Sequence, residues 1–161
     1  MQRISICLWF DDEAEEAVAF YTSIFESSRV VATTRYTKES AGPSGKAEGD
    51  VLTIAFELDG QPFAALNGGP VFRFNEAVSI VVHCKSQEEV DHYWDHLAQG
   101  GDPAAQQCGW LKDRYGVSWQ IVPDELLEAM SQPDAEKARR ATAAMMQMKK
   151  LDLAALRAAI G

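Results

Sequence analysis

The 161 residues are 47% hydrophobic with a formal net charge of −9, which suits one globular domain or two small modules sharing a core. The acidic residues are spread along the chain, which argues against nucleic acid and anionic lipid as partners, since both need a basic patch. Cys7, Cys84 and Cys108 are far apart and form no CxxC pair, so neither a disulfide framework nor a zinc knuckle is expected and the setting reads as reducing and cytoplasmic.

Residues 3–10 read as a strand that ends at Asp11-Asp12, too short an apolar run for a signal-peptide core or a membrane span. A helix follows over residues 12–25, with Ala14, Ala17, Val18, Tyr21, Ile24 and Phe25 on one stripe. Residues 29–37 are dense in β-branched side chains and predict a strand, while 38–49 (KESAGPSGKAEG) predict a mobile loop. Strands over 50–58 and 61–67 are joined at Asp59-Gly60, a hairpin signal.

The pattern then restarts. Residues 76–84 predict a strand, and 86–99 a helix with Val90, Tyr93, Trp94 and Leu97 on one face, closed by Gly100-Gly101. Short strands are expected near 104–107, 109–114 and 117–122, then helices over 124–130, 134–149 and 152–160, the last capped by Asp152. Ala138, Ala141, Met145 and Met148 form a stripe of small and adaptable side chains suited to this chain's own sheet or to a partner. The order is β-α-β-β-β, repeated, then helices. "SICLWF" at 5–10 parallels "SIVVHC" at 79–84, an offset of 74, and two units too small to close a core alone are expected to pair.

Four stretches, "LWFDDEAEEAVAFYTSIF", "FAALNGGPVFRFNEAVSIVV", "CGWLKDRYGVSWQIVP" and "AMMQMKKLDLAAL", resemble the vicinal oxygen chelate superfamily. Within it the chain resembles the PhnB-like group often labelled 3-demethylubiquinone-9 3-methyltransferase. The resemblance implies an α+β fold of two βαβββ modules, 1–70 and 71–123, paired into a cupped mixed sheet, with a C-terminal helical extension, 124–161. It also implies a homodimer. Metal-dependent members hold a divalent ion with four His, Glu or Gln side chains from the first and fourth strands of each module. Carried over, those positions fall near Ser5, the Ala65 region, Ser79 and Gln120. Hydroxyl, methyl and amide groups do not repay the dehydration of such an ion, so no tightly bound metal and no other cofactor is expected. Nor does a strand here lead into the glycine-rich turn and helix of a nucleotide-type cofactor site, which counts against methyl transfer.

Strand alternation sets Ile4, Ile6, Leu8 and Phe10 against the first helix, and Val78, Ile80 and Val82 against the second. The opposite faces carry Ser5, Cys7 and Trp9, then Ser79, Val81 and His83, then Ser118, Gln120 and Val122, with Trp110, Lys112 and Arg114 on the neighbouring strand. Apolar walls with a few polar groups suit a small-molecule pocket. The candidate ligand contacts are Gln120, Ser79, Ser5, Trp9, Asn67, His83, Cys7 and Lys112. Each has a structural alternative: sheet closure for the serines, a satisfied amide for Gln120, a turn for Asn67, a solvated strand end for Lys112, a bonded core imidazole for His83 and a small core residue for Cys7. His92 and His96 have i, i+4 spacing but fall on the solvent side of their helix, and "HYWDH" lacks the HExxH glutamate. The expected function is small-molecule binding with no assigned activity; the alternative is a metal-assisted lyase, isomerase or dioxygenase-type enzyme with a non-standard site.

Overall fold

The computed structural model describes residues 4–131 and 133–161, so residue 3 of the predicted first strand lies outside the described residues. The chain divides into two compact units, residues 1–74 and 75–161.

The first unit runs β1 (Ile6–Phe10), α1 (Ala14–Ile24), β2 (Ser28–Arg35), α2 (Lys38–Ser44), β3 (Val51–Leu58) and β4 (Gln61–Asn67). Its sheet has the order β1-β4-β3-β2, with β1 parallel to β4 and the other pairs antiparallel. Asp59 and Gly60 both take positive φ, 47° and 78°, as a tight β3–β4 hairpin of primed type requires. The predicted α1 stripe is buried throughout. Of the alternating apolar side chains in the first strand, only Leu8 and Phe10 are buried. Ile4 is 79% exposed, because the ladder begins at the pair Ile6–Phe63 and Ile4 precedes it.

The expected loop over 38–49 contains α2. Thr37 and Ser40 form a reciprocal capping box, Ala41 is buried, and Gly45 closes the helix in the left-handed region at φ 71°. A cap at each end and one buried anchor order a segment whose composition alone reads as loop.

The second unit runs β5 (Ile80–Cys84), α3 (Gln87–Leu97), β6 (Trp110–Lys112), β7 (Ser118–Pro123), α4 (Asp124–Ser131), α5 (Ala135–Met145) and α6 (Leu153–Ile160). Its sheet has the order β5-β7-β6, with β5 parallel to β7 and β6 antiparallel. Both ends of β5 lie 74 residues after those of β1, and each of these strands pairs in parallel with a late strand of its own unit. The repeat in the sequence is therefore a repeat in topology.

The predicted strand near 104–107 does not form. Pro103–Ala105 is a 3₁₀ turn opened by Asp102, whose carboxylate accepts from Ala104 N at 2.8 Å, and an isolated bridge between Gln107 and Trp110 follows. Proline fixes φ and has no N–H for a ladder. β5 also starts later than predicted. Asn75 Oδ1 accepts from Ala77 N at 2.9 Å, which holds the segment in a turn. Val78, expected against the helix, is 73% exposed.

The C-terminal helices close a core of their own from Leu126, Ala129, Ala141, Leu151, Leu153 and Leu156, with Met145 and Met148 packed on it. The small-and-methionine stripe thus serves this unit's own helices. α5 stops at Met145 instead of 149 because the carbonyls of Met148 and Lys149 turn to accept from Cys108 N and Gly109 N, both at 2.8 Å. Asp152 caps α6 through Ala155 N as predicted. No helix of the described residues is long and apolar enough to cross a membrane.

Candidate functional site

In the second sheet, Trp119 and Ile121 are buried on the helix side. The Trp119 indole donates to Asp113 Oδ2 at 2.8 Å, while Asp113 Oδ1 accepts from the amides of Tyr115 and Val117 at 2.9 and 3.0 Å. This buried network fixes the β6–β7 turn and the orientation of β7. Alternation then presents Ser118 and Gln120 on the opposite face.

The register puts Val81, Gln120 and Trp110 in one row across three strands, and Lys112 beside Ser118. Gln120 is half-buried, and its Nε2 donates to Ser79 Oγ at 2.9 Å. No other hydrogen bond of its side chain is found among the described residues, so Oε1 is available as an acceptor. Ser118 is 4% exposed, and its hydroxyl has no hydrogen-bond partner among the described residues. Lys112 is ion-paired with Glu76. That contact lowers the Glu76 pKa, first through its hydrogen bond to Lys112. His83, expected inside, is exposed at the open end of β5, with Nδ1 3.4 Å from Asp124 Oδ1. Cys84 is buried, and burial, reinforced by Glu89 and Asp124, pushes its thiol up to about 12, so it is no nucleophile near neutral pH.

In the first sheet, Ser5 is exposed and precedes β1. Cys7 is exposed, and desolvation raises its pKa. Trp9 is a wall: its indole donates to Gly69 O at 2.9 Å and meets Phe72 edge-on at 4.9 Å. Its ring lies where a Cβ at residue 68 would be, which only glycine permits. Asn67 is structural. Its Oδ1 accepts from Ala14 N at 2.9 Å, and its Nδ2 donates to Glu15 Oε2 at 2.9 Å and Val51 O at 3.1 Å. It caps α1 from the end of β4.

Within the Ala65 region, strand register picks out one residue. Ala65 pairs with Leu8 and is fully buried on the helix side. Because Cys7 corresponds to Val81 at the repeat offset, and Val81 pairs with Gln120, the first-unit counterpart of Gln120 is Cys7's partner, Ala64. The positions that the resemblance implies for a metal are then Ser5 or Cys7 and Ala64 in the first unit, and Ser79 and Gln120 in the second. Methyl, hydroxyl and amide groups with at most the one Cys7 thiol, which desolvation keeps protonated more readily, do not fit a Zn or Mn ion, and the Gln120–Ser79 pair already spends the amide nitrogen on the serine. Among the described residues no three His, Cys, Asp or Glu side chains gather closely enough to share a metal ion. His92 and His96 are exposed, with His96 Nδ1 2.7 Å from the carbonyl of His92.

Register draws Ser79, Gln120, Lys112, Trp110 and Ser118 together on the second sheet. Alternation identifies this face in the sequence, but Ser118 and Trp110 gain their interest only from the burial and pairing that the structure shows.

A family model described as 3-demethylubiquinone-9 3-methyltransferase matches residues 2–122. The chain belongs to this family. The PhnB-like match ends before the helical extension, so "AMMQMKKLDLAAL" lies outside it. A PhnB protein from Bacillus cereus is 38% identical over 76% of this chain and 99% of its own, with a TM-score of 0.63. A protein from Pseudomonas aeruginosa is 20% identical over 76% and 98%, TM-score 0.58. A genomically encoded fosfomycin resistance protein from Listeria monocytogenes is 18% identical over 81% and 98%, TM-score 0.56. The last two likenesses are of fold alone. No curated protein matches the chain.

Proposed function

We propose that this PhnB-like protein binds a small polar metabolite on the open face of its second sheet, as a cytoplasmic homodimer and without a tightly bound metal. The observation that carries the reading is the Gln120–Ser79 pair beside Val81 and Trp110: an amide oriented by one bond, with its carbonyl still available, set among apolar side chains. Ligand sites combine such walls with a few oriented polar groups. Lys112 and His83 supply cationic or hydrogen-bonding groups at the margin of the same face, and Trp9 and Cys7 line the corresponding face of the first sheet.

The Listeria fosfomycin resistance protein has been crystallised with Mn(II) and sulfate. Here the donor chemistry at the corresponding positions supports binding over metal-assisted catalysis. Methyl transfer is likewise unsupported. The β1–α1 and β5–α3 connections read Asp11-Asp12-Glu13 and Lys85-Ser86, where a dinucleotide-type site needs glycines that let backbone approach a pyrophosphate.

The test is a thermal-shift screen of small carboxylic acids and phosphonic acids, alongside metal analysis of the purified protein. At least one acid is expected to raise the melting temperature, and Gln120→Ala to abolish that rise while melting close to the parent. A stoichiometric, chelator-resistant divalent ion would defeat the metal-free reading. Stabilisation undiminished in Gln120→Ala would remove the site from this face.

A further inference from the structure

The first unit has a cavity that none of the sheet-face residues explains. It has a volume of about 290 Å³ and is lined by Asp12, Glu15, Arg35, Lys46, Asp50 and Asn67, among others. The walls come from the start of α1, the end of β2, the connection from α2 to β3, and the last residue of β4.

Its charges are held apart. Neither Arg35 nor Lys46 forms an ion pair with Asp12, Glu15 or Asp50 among the described residues; Lys46 pairs with Asp11 instead. Four of the charged wall groups are held by hydrogen bonds. Lys46 Nζ donates to Asp11 O at 2.8 Å, and an Arg35 terminal nitrogen donates to Gly49 O at 2.9 Å. Asp50 Oδ2 accepts from Ala47 N at 2.9 Å, and Glu15 Oε2 accepts from Asn67 Nδ2 at 2.9 Å. Asn67, itself buried and fully bonded, anchors the floor. The remaining guanidinium nitrogens, the second oxygens of Glu15 and Asp50, and the Asp12 carboxylate have no side-chain partner among the described residues.

A frame that keeps opposite charges from collapsing onto one another is preorganised for a ligand that carries both. We infer that this cavity binds a small zwitterion, a free α-amino acid, with its carboxylate at Arg35 and its ammonium among Asp12, Glu15 and Asp50. The volume lies just below the usual range for drug-sized ligands, which suits a molecule of that size. Three carboxylates against two cations favour an amino acid with a further positive charge, so L-lysine binds better than glycine, and glycine better than L-glutamate. The site is built from first-unit residues that take no part in the sheet face proposed above, and stands or falls independently of it.

Isothermal titration calorimetry at low ionic strength tests the inference, with L-lysine, glycine, L-glutamate, acetate and methylammonium as probes. The expected order is lysine, glycine, glutamate, with acetate and methylammonium far weaker. Asp12→Asn and Arg35→Gln, both at exposed positions and checked for native circular dichroism, should each weaken lysine binding about tenfold, as befits loss of one charge-assisted contact. Gln120→Ala should leave it unchanged. No heat from lysine at millimolar concentration, equal binding of acetate or methylammonium, or unaltered lysine affinity in both variants would each overturn the inference.

Discussion

Two amides on neighbouring strand patterns do different work here, and the difference is burial. Asn67 is 4% exposed with every side-chain polar atom bonded, whereas Gln120 is half-buried with one bond. Asn67→Ala strips a partner from the Ala14 amide and leaves neighbouring polar groups unsatisfied, so it should cost about 2–3 kcal/mol in urea unfolding. The sequence made both residues visible as polar side chains at strand positions. Their roles were not legible, because Asn67's partners lie 52 and 53 residues away in Glu15 and Ala14.

Cys84 gives a pH signature at the same scale. Its native thiol is pushed from 9.0 up to about 12, first by burial. The native state therefore holds this proton more tightly than the unfolded chain does. The contribution is complete below pH 9 and is lost as pH rises toward 12, by about 1.4 kcal/mol per pH unit. Unfolding free energies of the parent and Cys84→Ala, measured in urea from pH 8 upward, should differ by a constant at first and then converge. A constant difference throughout would show that the thiol is not protected.

At the scale of elements, periodicity located what tertiary contact reinforces. The α1 and α3 stripes were legible because their apolar spacing is itself the signal. The short β6 fell within the predicted strand over 109–114, but the 3₁₀ turn at Pro103–Ala105 was not legible, because a strand and an irregular segment share composition when few residues are involved. Gly100-Gly101 shows the limit well. Gly100, at φ 75°, lies in the turn that follows the Ala98 cap of α3 and breaks the helix near where the sequence suggested. Gly101 has another reason: a Cβ there would drive into the backbone carbonyl of Lys112, since this segment lies directly on β6. Gly101→Ala must displace β6 or the end of α3, and should cost about 3 kcal/mol or more. Gly100→Ala should cost less, about 1–2 kcal/mol, through backbone strain and a close approach of the new Cβ to the Arg114 side chain at 3.3 Å. Chemical denaturation of both variants checks the order, and a reversed order would mean that β6 yields easily.

At the scale of the whole molecule, the repeat is the most legible feature of the sequence and the assembly the least. An offset of 74 residues was enough to predict two modules, since topology follows from element order. A partner surface carries no period. The first unit leaves Ile4, Val71 and Phe72 with 62–79% of their surface in solvent, and Phe72 rests its edge on Trp9. Isolated exposed apolar side chains need no explanation, but an exposed phenylalanine supported by a tryptophan is a rigid anchor of the kind interfaces use. We therefore propose Phe72 as the interface anchor of the proposed homodimer. Light scattering should give about twice the chain mass of 17.7 kDa, and Phe72→Glu should lower it to the chain mass while the circular dichroism spectrum is kept, because a buried unpaired carboxylate opposes association strongly. A parent that is monomeric at micromolar concentration rejects the dimer; a dimer that survives Phe72→Glu moves the interface elsewhere.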